Sequence, residues 1–240
     1  MSLAIVLPAF NAERQLGQVL DRIAQTALPE LLAMIVVDDG SRDGTRALAE
    51  ARARADSRLE LVVRPRNGGY GAAMKDGLER ARERGAEHVA CVHADGQYSP
   101  EALPRLLRLL RDQELDLLQG SRIAGGGALS GGMPLYKYVG NALLNRLENL
   151  TLGLGFSDYH SGYLVYGPRA LSTLPFRSLS DSFDFDLEVI ASARARGLAV
   201  AEAPIPTHYG DEVSHLNPLD YGLRVVRVLY NYRRGSYDPI

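Results

Sequence analysis

The chain has 240 residues, of which 46% are apolar and 23% charged, enough to bury a sizeable core and too apolar for wholesale disorder. Its 27 basic and 29 acidic residues nearly cancel, which excludes a generally basic nucleic-acid coat. A single cysteine, Cys91, excludes an internal disulfide and a cysteine-rich zinc site and fits a reducing compartment.

The first half alternates. Residues 3–7 are a short apolar run and 12–24 have helical spacing. Residues 34–37 run into Asp38-Asp39-Gly40-Ser41, and 43–55 read as helix. Residues 59–63 end at Arg66-Asn67-Gly68-Gly69, and 70–84 read as helix. Residues 89–92 end at His93-Ala94-Asp95-Gly96-Gln97, and 100–111 read as helix, with Ser99 as cap and Pro100 at its first position. A fifth strand is predicted at 116–119. This alternation predicts βαβ units, a mostly parallel sheet and helices on both faces.

The second half is less regular. Residues 120–132 hold six glycines, a loop that is either mobile or held when something binds. A helix is predicted over 134–152, with Leu135, Val139, Leu143, Leu147 and Leu150 on one side. Strands are predicted at 163–166 and 198–203, and helices at 184–196 and 217–234. No repeat or linker divides the chain, so residues 1–240 read as one domain, with a regular half over 1–120, a less regular half over 121–215 and an amphipathic helix over 216–240. The longest purely apolar run, 31–37, is far short of the about 20 residues that span a bilayer. The first residues lack a basic stretch and their apolar run ends at Pro8, unlike a secretory leader. These features predict a soluble, cytoplasmic protein.

Polar residues collect at strand ends. The turns at 8–13, 38–41, 66–69 and 93–97 would all lie at the carboxyl edge of a parallel sheet, where such folds bind ligands. Asp38 and Asp39 point to opposite faces of an extended strand. One can cap the turn while the other accepts from a ribose or base, though both serve equally well as turn caps. His93, Asp95 and Gln97 alternate and share a face, so they can meet one divalent cation, Mg²⁺ or Mn²⁺, beside a diphosphate. The glycines after Asn67 suit close backbone approach to a ligand but match neither dinucleotide nor phosphate-loop fingerprints.

The segments LPAFNAE, VVDDGSRDGT, RNGGYGAA, HADGQYSPE and GSR, in this order and spacing, resemble the family 2 glycosyltransferases. The nearest branch is that of the dolichol-phosphate mannosyltransferases and polyprenyl-phosphate glycosyltransferases. The resemblance covers about residues 3–215. It implies an α/β GT-A fold, a UDP- or GDP-linked sugar donor, a divalent metal and inversion at the anomeric carbon. Carried over, Pro8, Ala9, Asn11 and Glu13 would line the nucleotide pocket, Asp39 with Asp38 behind it would contact ribose or base, and Arg66, Asn67 and Gly71 would border the base. Asp95 would bind both metal and diphosphate. Relatives usually carry Asp where His93 stands. Arg122 matches an arginine near the diphosphate or acceptor phosphate. On the acceptor side stand Ser161 and Gly162, then His208, Tyr209 and Glu212, in stretches where relatives often carry additional arginine or lysine.

A lipid-phosphate acceptor such as a polyprenyl or dolichyl phosphate is already ionised and needs only positioning. A saccharide or other hydroxyl acceptor needs a base, for which Asp184, Asp186 and Glu188 are candidates, although an acidic first turn also complements a helix dipole. Two readings of other classes are a nucleotide-sugar binding module with little turnover and a nucleotidyltransferase. On the last helix Asp220, Arg224, Arg227, Asn231 and Arg234 form a polar face, and Leu219, Leu223, Val226 and Tyr230 an apolar one. Such a helix either lies on an anionic membrane or packs its apolar face on the core. Any membrane role would come from this surface or from a membrane-protein partner.

Overall fold

The computed structural model describes residues 1–124, 135–206 and 218–239, with the backbone alone for 135–139, 218 and 219. The apolar runs of the first half form β1 (Leu3–Ala9), β2 (Leu31–Asp38), β3 (Leu59–Val63) and β4 (His88–Cys91). Between and after them lie α1 (Glu13–Gln25), α2 (Thr45–Ala55), α3 (Tyr70–Glu83) and α4 (Leu103–Asp112). The chain continues through β5 (Leu117–Ser121), α5 (Leu135–Leu152), β6 (Leu164–Tyr166), α6 (Pro168–Thr173), α7 (Phe185–Ala195), β7 (Val200–Pro204) and α8 (Pro218–Arg233).

The seven strands form one sheet in the order β3-β2-β1-β4-β6-β5-β7. The pairs β1–β2, β2–β3, β1–β4 and β5–β7 are parallel. Alternate residues of β1 feed two cores. Leu3, Ile5 and Leu7 join Leu16 and Ile23 of α1 and Leu106 of α4. Ala4 and Val6 join Met74 and Leu78 of α3 and, farther along the same layer, Ile190 of α7 and Val225 of α8. Both faces are covered, which is why the strands read as continuous apolar runs.

Pro8 pairs in register with Val37. The Val6 carbonyl accepts from Val92, so even-numbered β1 residues face the β4 side. The missing N–H of Pro8 therefore falls beyond the end of β4, where no ladder bond is lost.

β6 is antiparallel to both β4 and β5. Its amino end, not its carboxyl end, therefore lies at the edge where β1–β4 terminate. That reversal delivers residues 157–163 to the same edge.

Three local readings change. Pro100–Ala102 is a 3₁₀ turn rather than α-helix, and Ser99 makes no cap hydrogen bond. Its hydroxyl instead accepts from Arg22 at 3.3 Å. Helix α6 is an addition, opened by Pro168 directly after β6. The expected apolar face of α8 does not pack on the core: Leu223, Val226 and Tyr230 are exposed, while Val225, Val228 and Leu229 are buried. Among the described residues no helix is long and apolar enough to cross a membrane.

Candidate active site

The tips of β1, β2 and β3 are stitched to one another. Asn11 adopts a left-handed φ of 51°, which asparagine tolerates. Its backbone donates to Ser41 Oγ at 2.9 Å, and its Oδ1 accepts the Arg42 N–H at 2.9 Å. The Glu13 Oε2 accepts the Gly44 N–H at 3.0 Å. Asp38 accepts the Ser41 N–H, which is turn capping. Asp39 is buried and accepts from the Gly68 and Gly69 N–H groups, each at 2.9 Å, and from Arg64 at 2.8 Å. Asp39 thus fixes the loop that carries Arg66 and Asn67.

Gly71 serves packing. A Cβ there would stand 2.3 Å from the Ser180 carbonyl oxygen and 2.8 Å from Phe185 Cβ. Its small size lets α3 meet the turn before α7.

At the end of β4, Asp95 Oδ1 accepts the Gln97 N–H at 3.0 Å. The ring of His93 packs edge-on against Tyr70 and Tyr98. Its Nε2 lies 3.3 Å from the Tyr70 hydroxyl. Burial lowers the His93 pKa, Asp95 works against that shift and Arg122 adds to it; the net direction favours the neutral imidazole that metal ligation requires. Gly162 permits this placement: a Cβ there would lie 2.5 Å from His93 Nε2.

Arg122 follows β5 and makes a two-point contact with Asp158, Nε–Oδ2 at 2.8 Å and Nη2–Oδ1 at 3.1 Å. Its Nη2 also donates to the His160 carbonyl at 3.0 Å. Burial acts to raise the Asp158 pKa, but the charge and hydrogen bonds of Arg122 prevail and hold it below the usual carboxylate range. The segment after Asp158 is anchored by Gln119, which donates to the Ser161 carbonyl, and by Tyr98, whose hydroxyl accepts the Gly162 N–H. Ser161 itself is buried, and its hydroxyl has no hydrogen-bond partner among the described residues.

The three acidic residues near α7 have separate fates. Asp184 accepts from Ser180 Oγ at 2.8 Å and faces Arg224. Glu188 accepts from the Ser180 backbone and from Tyr237. Both brace the α7 entry and the C-terminal segment. Asp186 turns inward: a Cβ at Gly162 would lie 3.1 Å from its Oδ2, and its Oδ1 has no partner among the described residues. Burial, partly opposed by the Tyr70 hydroxyl, raises its carboxyl to about 7. Tyr70 and Tyr98 carry no signal of their own in the sequence, and Asp158 stands out there only as the start of the stretch that resembles the acceptor side, because each meets partners distant along the chain. His208, Tyr209 and Glu212 lie outside the described residues.

Asp95, Gln97 and one imidazole nitrogen offer the oxygen and nitrogen donors that suit Mg²⁺ or Mn²⁺. Among the described residues no three His, Cys, Asp or Glu side chains form a cage on their own. The donor set fits a cation whose other ligands come from a bound diphosphate.

A family model described as glycosyl transferase family 2 matches residues 4–174. The polyprenol monophosphomannose synthase of Mycolicibacterium smegmatis is 32% identical over 84% of this chain and 75% of its own length. A low-salt glycan biosynthesis hexosyltransferase of Haloferax volcanii is 33% identical over 95% of this chain, which spans 53% of that relative. Glucosyl-3-phosphoglycerate synthase from Mycobacterium tuberculosis, solved with Mn²⁺, UDP and glucosyl-3-phosphoglycerate, superposes with a TM-score of 0.67 at 19% identity. That match covers all of this chain and 81% of the solved one.

Proposed function

The chain belongs to glycosyl transferase family 2, in the branch of the dolichol-phosphate mannosyltransferases and polyprenyl-phosphate glycosyltransferases, and from that premise we propose that it moves a hexosyl group from a nucleoside-diphosphate sugar to a polyprenyl phosphate. One observation carries the reading: the parallel pairing of β1–β4 sets Asp39 and Asp95 at a single sheet edge, and the reversed β6 brings the Arg122–Asp158 pair to it.

In this reading the rim formed by Pro8, Ala9, Asp38, Asp39, Arg66 and Asn67 receives the base and ribose, with Asn11 and Glu13 bracing it. Asp95 and Gln97, with His93 beside them, would hold Mg²⁺ or Mn²⁺, which neutralises the diphosphate as it leaves. Arg122 cannot swing freely, because Asp158 and the His160 carbonyl fix its guanidinium. It presents an oriented positive charge to phosphate oxygens. A lipid phosphate attacks the anomeric carbon from the face opposite the diphosphate, which inverts the configuration and requires no base. Transfer to a saccharide hydroxyl is a second reading, favoured by Asp186, whose carboxyl sits near neutrality as a general base requires. The setting is peripheral, at the inner face of a membrane.

The test is a titration of UDP, GDP and their sugars with Mn²⁺ or Mg²⁺, followed by transfer to undecaprenyl phosphate, dolichyl phosphate and a saccharide panel. Asp95→Asn is expected to abolish transfer and weaken cation-dependent nucleotide binding while the melting profile is kept. Absence of nucleoside-diphosphate binding refutes the reading. Binding with no transfer to any acceptor identifies a binding module instead.

A further inference from the structure

Among the described residues, six of the ten exposed large apolar side chains stand on two helices, α5 and α8. Leu143, Leu147 and Leu150 recur at one-turn spacing on α5, with Leu143 73% and Leu150 70% exposed. Leu223, Val226 and Tyr230 do the same on α8, with Leu223 72% exposed. Neither stripe is the core-facing one. Helix α5 buries Leu152 and Glu148 on its other side, and α8 buries Val225, Val228 and Leu229. The helices touch: Arg233 donates to the Leu150 carbonyl at 3.2 Å. His160 bridges them, with Nε2 3.3 Å from Glu148 of α5 and Nδ1 2.8 Å from the Tyr221 hydroxyl of α8. The two outward faces therefore belong to one side of the molecule. That side adjoins residue 160, whose carbonyl holds Arg122.

The charge on these faces is predominantly positive. Arg146, Arg227, Arg233 and Arg234 are exposed, and none has an ion-pair partner among the described residues. The exposed acids are Asp220, paired with Arg224 at 2.8 Å, and Asp238, just past the end of α8, so the basic residues outnumber them. Apolar stripes bordered by arginines match the interface of an anionic bilayer, which takes the leucines into its acyl boundary and the guanidinium groups among its headgroups. A soluble protein partner would need complementary acids, and a self-complementary dimer would bring these arginines against each other.

We propose that the outward faces of α5 and α8 dock the protein onto an anionic lipid surface, with the Arg122 end of the site turned towards the headgroups. This goes beyond the transfer reading, because the surface binds lipid whichever acceptor is used. The test is co-sedimentation of the full chain with phosphatidylcholine vesicles, with and without phosphatidylglycerol. The expected result is binding to the anionic vesicles alone, weakened by salt. Arg146→Glu/Arg227→Glu is expected to lower partition at least about 25-fold, since each arginine contributes about fivefold. Leu147→Ser/Leu223→Ser is expected to abolish it. All four positions are exposed, so the fold is kept, and unchanged nucleotide binding in the same samples separates this outcome from failure of the site reading. Equal binding by wild type and both variants overturns the proposal. So does a dimer, seen by light scattering, that dissociates in the leucine variant while the wild type ignores vesicles.

Discussion

Asp186→Asn gives a direct measurement of what the buried carboxyl costs. The side chain is almost fully buried beneath the Tyr70–His93 contact, and one oxygen lacks a partner among the described residues. The gap between the ordinary 3.8 and the folded value of about 7 corresponds to about 4 kcal/mol, at about 1.36 kcal/mol per pH unit. The sign follows from linkage. The folded chain keeps a proton that the unfolded chain releases, so the stability contributed by the neutral acid is full below about pH 4 and is lost as pH rises through about 7. Asparagine does not ionise. The variant is therefore expected to match wild type near about pH 4 and to exceed it by roughly 2–4 kcal/mol near about pH 8, the lower figure allowing for local water entry. The assay is urea unfolding in EDTA at a series of pH values, wild type and variant side by side. Taking the difference cancels the other titrating groups. A stability difference that stays flat across the range refutes the reasoning.

Arg122→Met leaves Asp158 buried without its partner and is expected to cost about 3–5 kcal/mol, of which Arg122→Met/Asp158→Asn recovers part; a denaturant double-mutant cycle checks this. Gly71→Ala drives a methyl group against the Ser180 carbonyl and Phe185, and calorimetry is expected to show a loss of about 1–3 kcal/mol.

The first four strands and their tips were legible because each is local: an apolar run ends in a polar turn, and parallel pairing does the rest. The alternation predicted a mostly parallel sheet with helices on both faces, and the family resemblance carried by the ordered motifs implied the GT-A architecture. The Arg122–Asp158 pair was not legible, because its members stand 36 positions apart and meet only where β6 enters antiparallel between β4 and β5. Residue type alone does not show which contacts a side chain makes. Gly71 packs α3 against the Ser180 carbonyl and Phe185, and Asp184 and Glu188, read as candidate bases or as complements of the helix dipole, both accept from Ser180. Helical periodicity located the apolar stripe of α8 but not its direction, since Val225, Val228 and Leu229 supply a second apolar face that the core takes first.

The stitching of the first three strand tips has a thermodynamic consequence. Asn11, Glu13 and Asp39 hold their loops through the protein's own backbone N–H groups. On the proposed reading, a nucleotide meets a rim whose shape these bonds already set, so little conformational freedom is surrendered on association. Discrimination among bases then rests on shape and donor–acceptor match with a rigid template, and a base that fits poorly cannot recover affinity by moulding the loops around itself.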